Sequence, residues 1–162
     1  MLYVVQGLTN SSMKAVETEY NDFEAVLRFK TIQIKTEDKY RMIPMPNGTL
    51  ETVAKARLCW YFLPGELKKG RRSNANLVNR SLLIIDYDSV EVDMNTKKKI
   101  VHDAIGEYSY FLYPSTSYDA ETPKFRLVVD AERPMDEHEY PATIKALGEL
   151  IGLPYDDVSH GT

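Results

Sequence analysis

Two aspartates, Asp86 and Asp88, close the run Ser81-Leu82-Leu83-Ile84-Ile85-Asp86-Tyr87-Asp88. The four consecutive apolar residues read as a buried strand, and side chains two positions apart on a strand point to the same face. The strand therefore delivers two carboxylates side by side at its C-terminal end. Like charges that close repel unless a cation lies between them, so the spacing points to a divalent metal site. The competing reading is structural: Asp-x-Asp after a strand also serves as a turn former or as a cap for the next helix.

Two further groups carry chemistry. The hydroxyl-rich turn Ser115-Thr116-Ser117-Tyr118 precedes Lys124 and Arg126 on the following strand, and Asp156-Asp157 comes soon after an amphipathic segment. Three carboxylates, a hydroxyl-rich turn and a strand-borne arginine are the parts of metal-assisted phosphoryl transfer. Carboxylates hold Mg²⁺ or Mn²⁺, while hydroxyls, backbone N–H groups and arginine clamp a triphosphate.

The elements that must position these residues are legible in outline. Residues 2–6 alternate weakly and predict an edge strand. Asn21 or Asp22 caps a helix through Phe29. Residues 31–50, with Pro44, Pro46 and Asn47-Gly48, read as irregular or turn-rich, and 51–62 as a helix running into a strand or turn at Trp60-Tyr61-Phe62. A strand over 82–88 is followed by a helix over 95–106, capped by Asn95 or Thr96. Its Lys97, Lys98 and Lys99 are expected in solvent and its Ile100, Val101, Ala104 and Ile105 inside. Strands follow at 108–113 and 125–129. The last helix spans roughly 137–151, opened by Asp136 or Glu137 and ended by Gly152, with Ile144, Leu147, Leu150 and Ile151 on one face. The pattern predicts an α+β fold, a mixed or antiparallel sheet flanked by helices.

At 162 residues, 43% hydrophobic and 27% charged, the chain has the composition of an ordinary globular protein. Its length predicts one domain, residues 1–60 forming an N-terminal portion and 61–162 the motif-bearing core. No apolar run approaches the ~20 residues that cross a bilayer, and residues 1–6 lack a signal peptide's basic region, so no membrane partner is expected. The lone Cys59, in an apolar run, reads as a core residue in a reducing compartment. The net charge of −4 hides a segregation: residues 51–81 hold seven Lys and Arg against two acids, and residues 82–162 hold seven against sixteen. Such asymmetry suits a site that grips phosphates on one side and metal on the other.

Taken together, four blocks resemble the archaeo-eukaryotic-type primase–polymerase domain of phage and plasmid replication proteins. They are Gly65-Glu-Leu-Lys68-Lys69-Gly70-Arg71-Arg72 with Asp86-Tyr-Asp88; Tyr113-Pro-Ser-Thr-Ser-Tyr118 through Lys124-Phe-Arg126; Arg133-Pro134 with Glu139-Tyr140; and Gly152-Leu-Pro-Tyr-Asp156-Asp157. The resemblance implies an RRM-like core and template-directed polymerisation in replication of a phage or mobile element. It implies a single-stranded DNA template, (d)NTPs, a fused or separate helicase, and the cytoplasm of a bacterial host. Asp86, Asp88 and Asp157 (or Asp156) would be catalytic metal ligands. Ser115, Ser117, Tyr118, Lys124 and Arg126 would bind the nucleotide, and Lys68, Lys69, Arg71 and Arg72 the nucleic acid. This chain departs from the family in two places. Tyr118 stands where a histidine is usual, and the chain stops five residues after Asp157, where the family continues with a further strand.

Two other functions compete. A primase-like module that binds DNA or a replication protein without turnover accommodates both departures. Asp86-Tyr87-Asp88-Ser89-Val90 also fits the opening of haloacid-dehalogenase-type phosphatases, whose first aspartate is a covalent nucleophile. Those proteins place that strand near the N-terminus, ahead of repeated βα units.

Overall fold

The computed structural model describes residues 1–30, 32–88, 92–116, 118 and 123–156. The chain forms two compact units, residues 1–77 and 78–162, and its fold is α+β with antiparallel strand pairs. No helix among the described residues is long and apolar enough to cross a membrane.

In chain order the first unit contains β1 (Leu2–Gln6), β2 (Lys14–Ala15), α1 (Asp22–Leu27), α2 (Thr36–Tyr40), β3 (Met42–Pro44) and β4 (Leu50–Thr52). A single π-helical turn (Ala54–Leu58), β5 (Trp60–Pro64) and β6 (Glu66–Leu67) follow. β1 is not an edge strand: it lies between β2 and β5, and Leu2, Tyr3 and Val5 are all buried. Burial of consecutive residues is what blurred its alternation. The Asn21 side chain accepts the Glu24 N–H at 2.9 Å and caps α1. Residues 32–50 hold α2 and most of the β3–β4 hairpin, whose turn lies in the stretch expected to be turn-rich. Three-residue strands are too short to show a period, although Asn47-Gly48, with Gly48 at φ +84°, is a recognised hairpin signal. The helix expected ahead of Trp60 shrinks to the π-helical turn, and the strand or turn expected at Trp60-Tyr61-Phe62 is the strand β5.

The second unit runs β7 (Leu77–Tyr87), α3 (Met94–Ile105), β8 (Tyr110–Pro114), β9 (Phe125–Met135) and α4 (Glu139–Ile151). The order β7–β9–β8 sets β9 between two strands joined through α3, a split β-α-β arrangement. Alternation then separates two faces. Ile85, Tyr87, Phe125, Leu127 and Val129 pack with Val101 and Ile105 of α3 and Ile144 and Ile151 of α4. Each such side chain contributes about 1.5–3 kcal/mol when fully buried. Tyr87 and Phe125 add a stacked pair with centroids 4.7 Å apart. The residues in between, Asp86 and Arg126 among them, are left on the face away from the helices.

Three local expectations are corrected here. The α3 cap is Asp93, whose Oδ1 accepts the Asn95 and Thr96 N–H groups at 2.9 and 3.1 Å. Lys97 is fully buried, not solvated. It shares the i, i+4, i+8 stripe of Val101 and Ile105, donates from Nζ to the Pro123 carbonyl at 2.6 Å, and lies 5.3 Å from the Phe125 ring centre. Leu150 is 60% exposed, because it falls off the face set by Ile144, Leu147 and Ile151.

α4 opens with a reciprocal capping box. Asp136 Oδ1 accepts the Glu139 N–H at 2.9 Å, and Glu139 Oε2 accepts the Asp136 N–H at 3.3 Å. Arg133 grips both Glu139 oxygens, at 2.6 and 2.9 Å. The Arg133 hydrogen bonds, then the Asp136 N–H, hold the Glu139 carboxyl at about 2 against an ordinary 4.5. A depressed carboxyl stabilises the fold above its unfolded value and loses that contribution as pH falls toward the folded one. Glu139→Gln is therefore expected to lower stability at pH 6, with the gap to wild type closing between pH 4.5 and 2. Urea denaturation at stepped pH checks this, and a gap constant across that window counts against it.

Candidate functional site

The C-terminal end of β7 is where the sequence motifs meet. In the strand register Asp86 lies opposite Arg126 of β9, and Arg126 lies opposite Tyr113 of β8. These three form one row across the sheet, on the face away from the helices. Directly opposed side chains stand close enough to interact, and here they do. Arg126 Nε donates to Asp86 Oδ1, and Nη2 donates to Oδ2 at 2.8 Å. Nη1 donates to the Tyr113 hydroxyl at 3.2 Å, with the guanidinium 5.9 Å from the Tyr113 ring centre. This two-pronged fork is the geometry in which arginine holds a carboxylate best.

The row is half-buried, with side chains 24% exposed at Asp86 and 32% at Arg126. Burial works against the Arg126 charge, but the Tyr113 phenol and the Asp86 carboxylate outweigh it and hold the guanidinium above its ordinary pKa. Burial also raises the Tyr113 phenol, against the pull of Arg126.

The third motif arrives by backbone. The Asp156 N–H donates to the Asp86 carbonyl at 3.0 Å, after the left-handed Gly152 (φ +75°) turns the chain out of α4. The approach depends on Gly148, where a Cβ would stand 2.2 Å from Cε1 of the Tyr155 ring. Asp88 lies just beyond β7 and is exposed. Asp157 and Ser117 fall outside the described residues.

The hydroxyl turn sits beside the same end of the sheet. The Ser115 N–H donates to the Lys124 carbonyl at 3.1 Å, and the Tyr118 N–H to the Ser115 carbonyl at 3.0 Å. Among the described residues, the Ser115 Oγ is buried without a hydrogen-bond partner, a state that costs free energy unless something bonds it. Lys124 is half-buried and Tyr118 is 42% exposed.

The residue types suit a hard divalent cation, which takes carboxylate oxygens. The fold brings Asp86 and Asp156 together through the backbone. Both Asp86 oxygens, however, are engaged by Arg126. Among the described residues, no three His, Cys, Asp or Glu side chains are gathered for a metal. Ligation by Asp86 therefore requires Arg126 to let go of at least one oxygen. The Asp86–Arg126 pair itself was not read from the sequence, which assigned the two residues to different ligands. Opposite charges on two predicted strands were the available signal, but nothing in the sequence gave the register.

In the first unit, Lys68, Lys69 and Arg71 are exposed and Arg72 is half-buried. They surround a tight turn in which Lys69 and Gly70 both have left-handed φ, 58° and 59°.

A family model described as the VapE N-terminal domain covers residues 9–161. No curated protein and no solved structure matches the chain.

Proposed function

Because the chain belongs to the VapE N-terminal domain family, found in phage- and plasmid-replication-associated proteins, we propose that it makes nucleic acid in that setting. It is a nucleotidyltransferase that polymerises (d)NTPs opposite a single-stranded DNA template, alongside a fused or separate helicase. The observation that carries this reading is the convergence at the end of β7. Asp86 of the first motif is joined to Arg126 of the second by its side chain and to Asp156 of the third by its backbone.

In this reading Asp86 and Asp88, with Asp156 or Asp157, would hold Mg²⁺ or Mn²⁺. A bound ion would neutralise phosphate charge there. Arg126 presents a permanent positive charge to the triphosphate. The Ser115 Oγ, without a partner among the described residues, joins Ser117 and Lys124 in supplying hydrogen bonds to phosphate oxygens. Tyr118 donates a hydrogen bond but carries no charge there.

The test is incorporation of labelled dNTPs and NTPs on single-stranded DNA with Mg²⁺ or Mn²⁺. Wild type is expected to extend, and Asp86→Ala/Asp88→Ala to fall to background with an unchanged circular dichroism spectrum. Product from the double variant, or none from wild type, overturns the assignment.

The Asp86–Arg126 pair favours a second reading, a module that binds DNA or a replication protein without turnover, since it occupies the central carboxylate. Its signature is metal-independent DNA binding that survives loss of both aspartates. The antiparallel β7–β9–β8 sheet lends the phosphatase reading no support.

A further inference from the structure

Within the first unit, two basic segments separated in sequence by β5 are fastened together. Residues 7–13 form a strap between them. At one end the Gly7 N–H donates to the Cys59 carbonyl at 2.9 Å and the Leu8 N–H to the Lys55 carbonyl at 3.3 Å. At the other end the Met13 N–H donates to the Gly70 carbonyl at 2.8 Å and the Arg72 N–H to the Ser11 carbonyl at 2.9 Å, and Ser12 bridges Arg71. The strap seats closely only because residue 7 is glycine: its φ is +77°, and a Cβ would stand 2.5 Å from the Ala56 carbonyl oxygen. Tyr61 ties the segments again from β5. Its hydroxyl donates to the Lys55 carbonyl at 3.0 Å, and the Arg72 guanidinium lies 5.6 Å from its ring centre.

We propose that Lys55 and Arg57, on the π-helical turn, belong to one phosphate-binding surface with Lys68, Lys69, Arg71 and Arg72, and that the surface takes single-stranded nucleic acid. The inference deepens the replication reading and rests on it. Charge supports the occupant. Residues 1–77 carry twelve Lys and Arg against eight Asp and Glu, whereas residues 78–162 carry eight against sixteen, so the cationic surplus lies in the first unit. The shape favours a single strand over a duplex. Grooves are read by helices or two-stranded ribbons, and this surface is a π-helical turn, a strap and a loop. Seven strap residues reach at most about 25 Å, enough for a short run of nucleotides.

The experiment is fluorescence anisotropy of a labelled oligo-dT against the whole chain across a salt series, with melting curves to confirm folding. Lys55→Ala/Arg57→Ala and Lys68→Ala/Arg71→Ala are each expected to weaken binding about fivefold at low salt. Each is expected to flatten the slope of log K against log salt by up to about 1.4, the loss of two single-strand phosphate contacts. If only the loop pair has an effect, the joint surface is wrong and the replication reading stands. If wild type binds no single-stranded DNA, the replication reading fails with it. Tighter binding to duplex of the same length overturns the single-strand assignment.

Discussion

Arg126→Gln is expected to destabilise the protein and, at the same time, to open the Asp86 carboxylate to cations. The substitution removes the fork that holds both Asp86 oxygens and the donor to Tyr113. It leaves a half-buried carboxylate without its counter-charge. Full burial of such an orphan costs several kcal/mol. With Asp86 and Arg126 24% and 32% exposed, water screens part of that, and a loss of about 1–2 kcal/mol is expected. Urea denaturation measures it. Mn²⁺ binding followed by electron paramagnetic resonance measures the second consequence: the variant is expected to bind free Mn²⁺ more tightly than wild type. Arg126→Lys separates charge from geometry, because an ammonium keeps the positive charge but cannot occupy two oxygens in a fixed fork. If the lysine variant also binds Mn²⁺ more tightly than wild type, the fork blocks the site. If only the glutamine variant does, general repulsion explains the gain. Equal binding by all three removes Asp86 from metal ligation.

Gly148→Ala is expected to destabilise, against the usual sign. Alanine in a helix interior ordinarily gains about 1 kcal/mol over glycine. Here the new Cβ meets three atoms of the Tyr155 ring at 2.2 to 2.8 Å, so the ring has to leave the surface of α4. Overpacking of this kind costs about 1–3 kcal/mol, which outweighs the propensity gain. The displacement also pulls on Asp156, the next residue, and on its bond to the Asp86 carbonyl. Thermal melting reads the first effect. In the incorporation assay the same variant is expected to lose activity beyond its loss of folded protein. Tyr155→Ala in the Gly148→Ala background removes the clash, and recovered stability there would confirm the cause. A melting temperature above wild type for Gly148→Ala alone would refute it.

What the sequence revealed of the second unit, and what it hid, follows from which interactions are local. Four apolar residues before Asp86, the stripe Ile144–Leu147–Ile151 and the helix stop at Gly152 are each written within a few residues, and each was placed. β7 starts five residues earlier than expected, at Leu77, because Asn79, Arg80 and Ser81 interrupt the apolar pattern there. Residue type misled at Lys97, where an amine occupies an apolar stripe, and position should have outweighed chemistry. The motif residues themselves stood out in the sequence, yet pairing Asp86 with Arg126 needed the register of two strands about forty residues apart. The same holds in the first unit, where the basic run at 68–72 was plain but its fastening to Lys55 and Arg57 depends on a strap from residues 7–13.

The burial of Lys97 divides three neighbouring amines of the same kind. Lys98 and Lys99 face solvent, so an acylating reagent reaches them whether or not the unit is closed. Lys97 can react only when α3 and the Pro123–Phe125 start of β9 move apart. While it is covered, burial lowers its pKa against the pull of Asp93, and opening removes that burial. The peptide carrying all three thus contains both a clock for local opening and its own reference, in a stretch where the sequence shows only a run of identical charges.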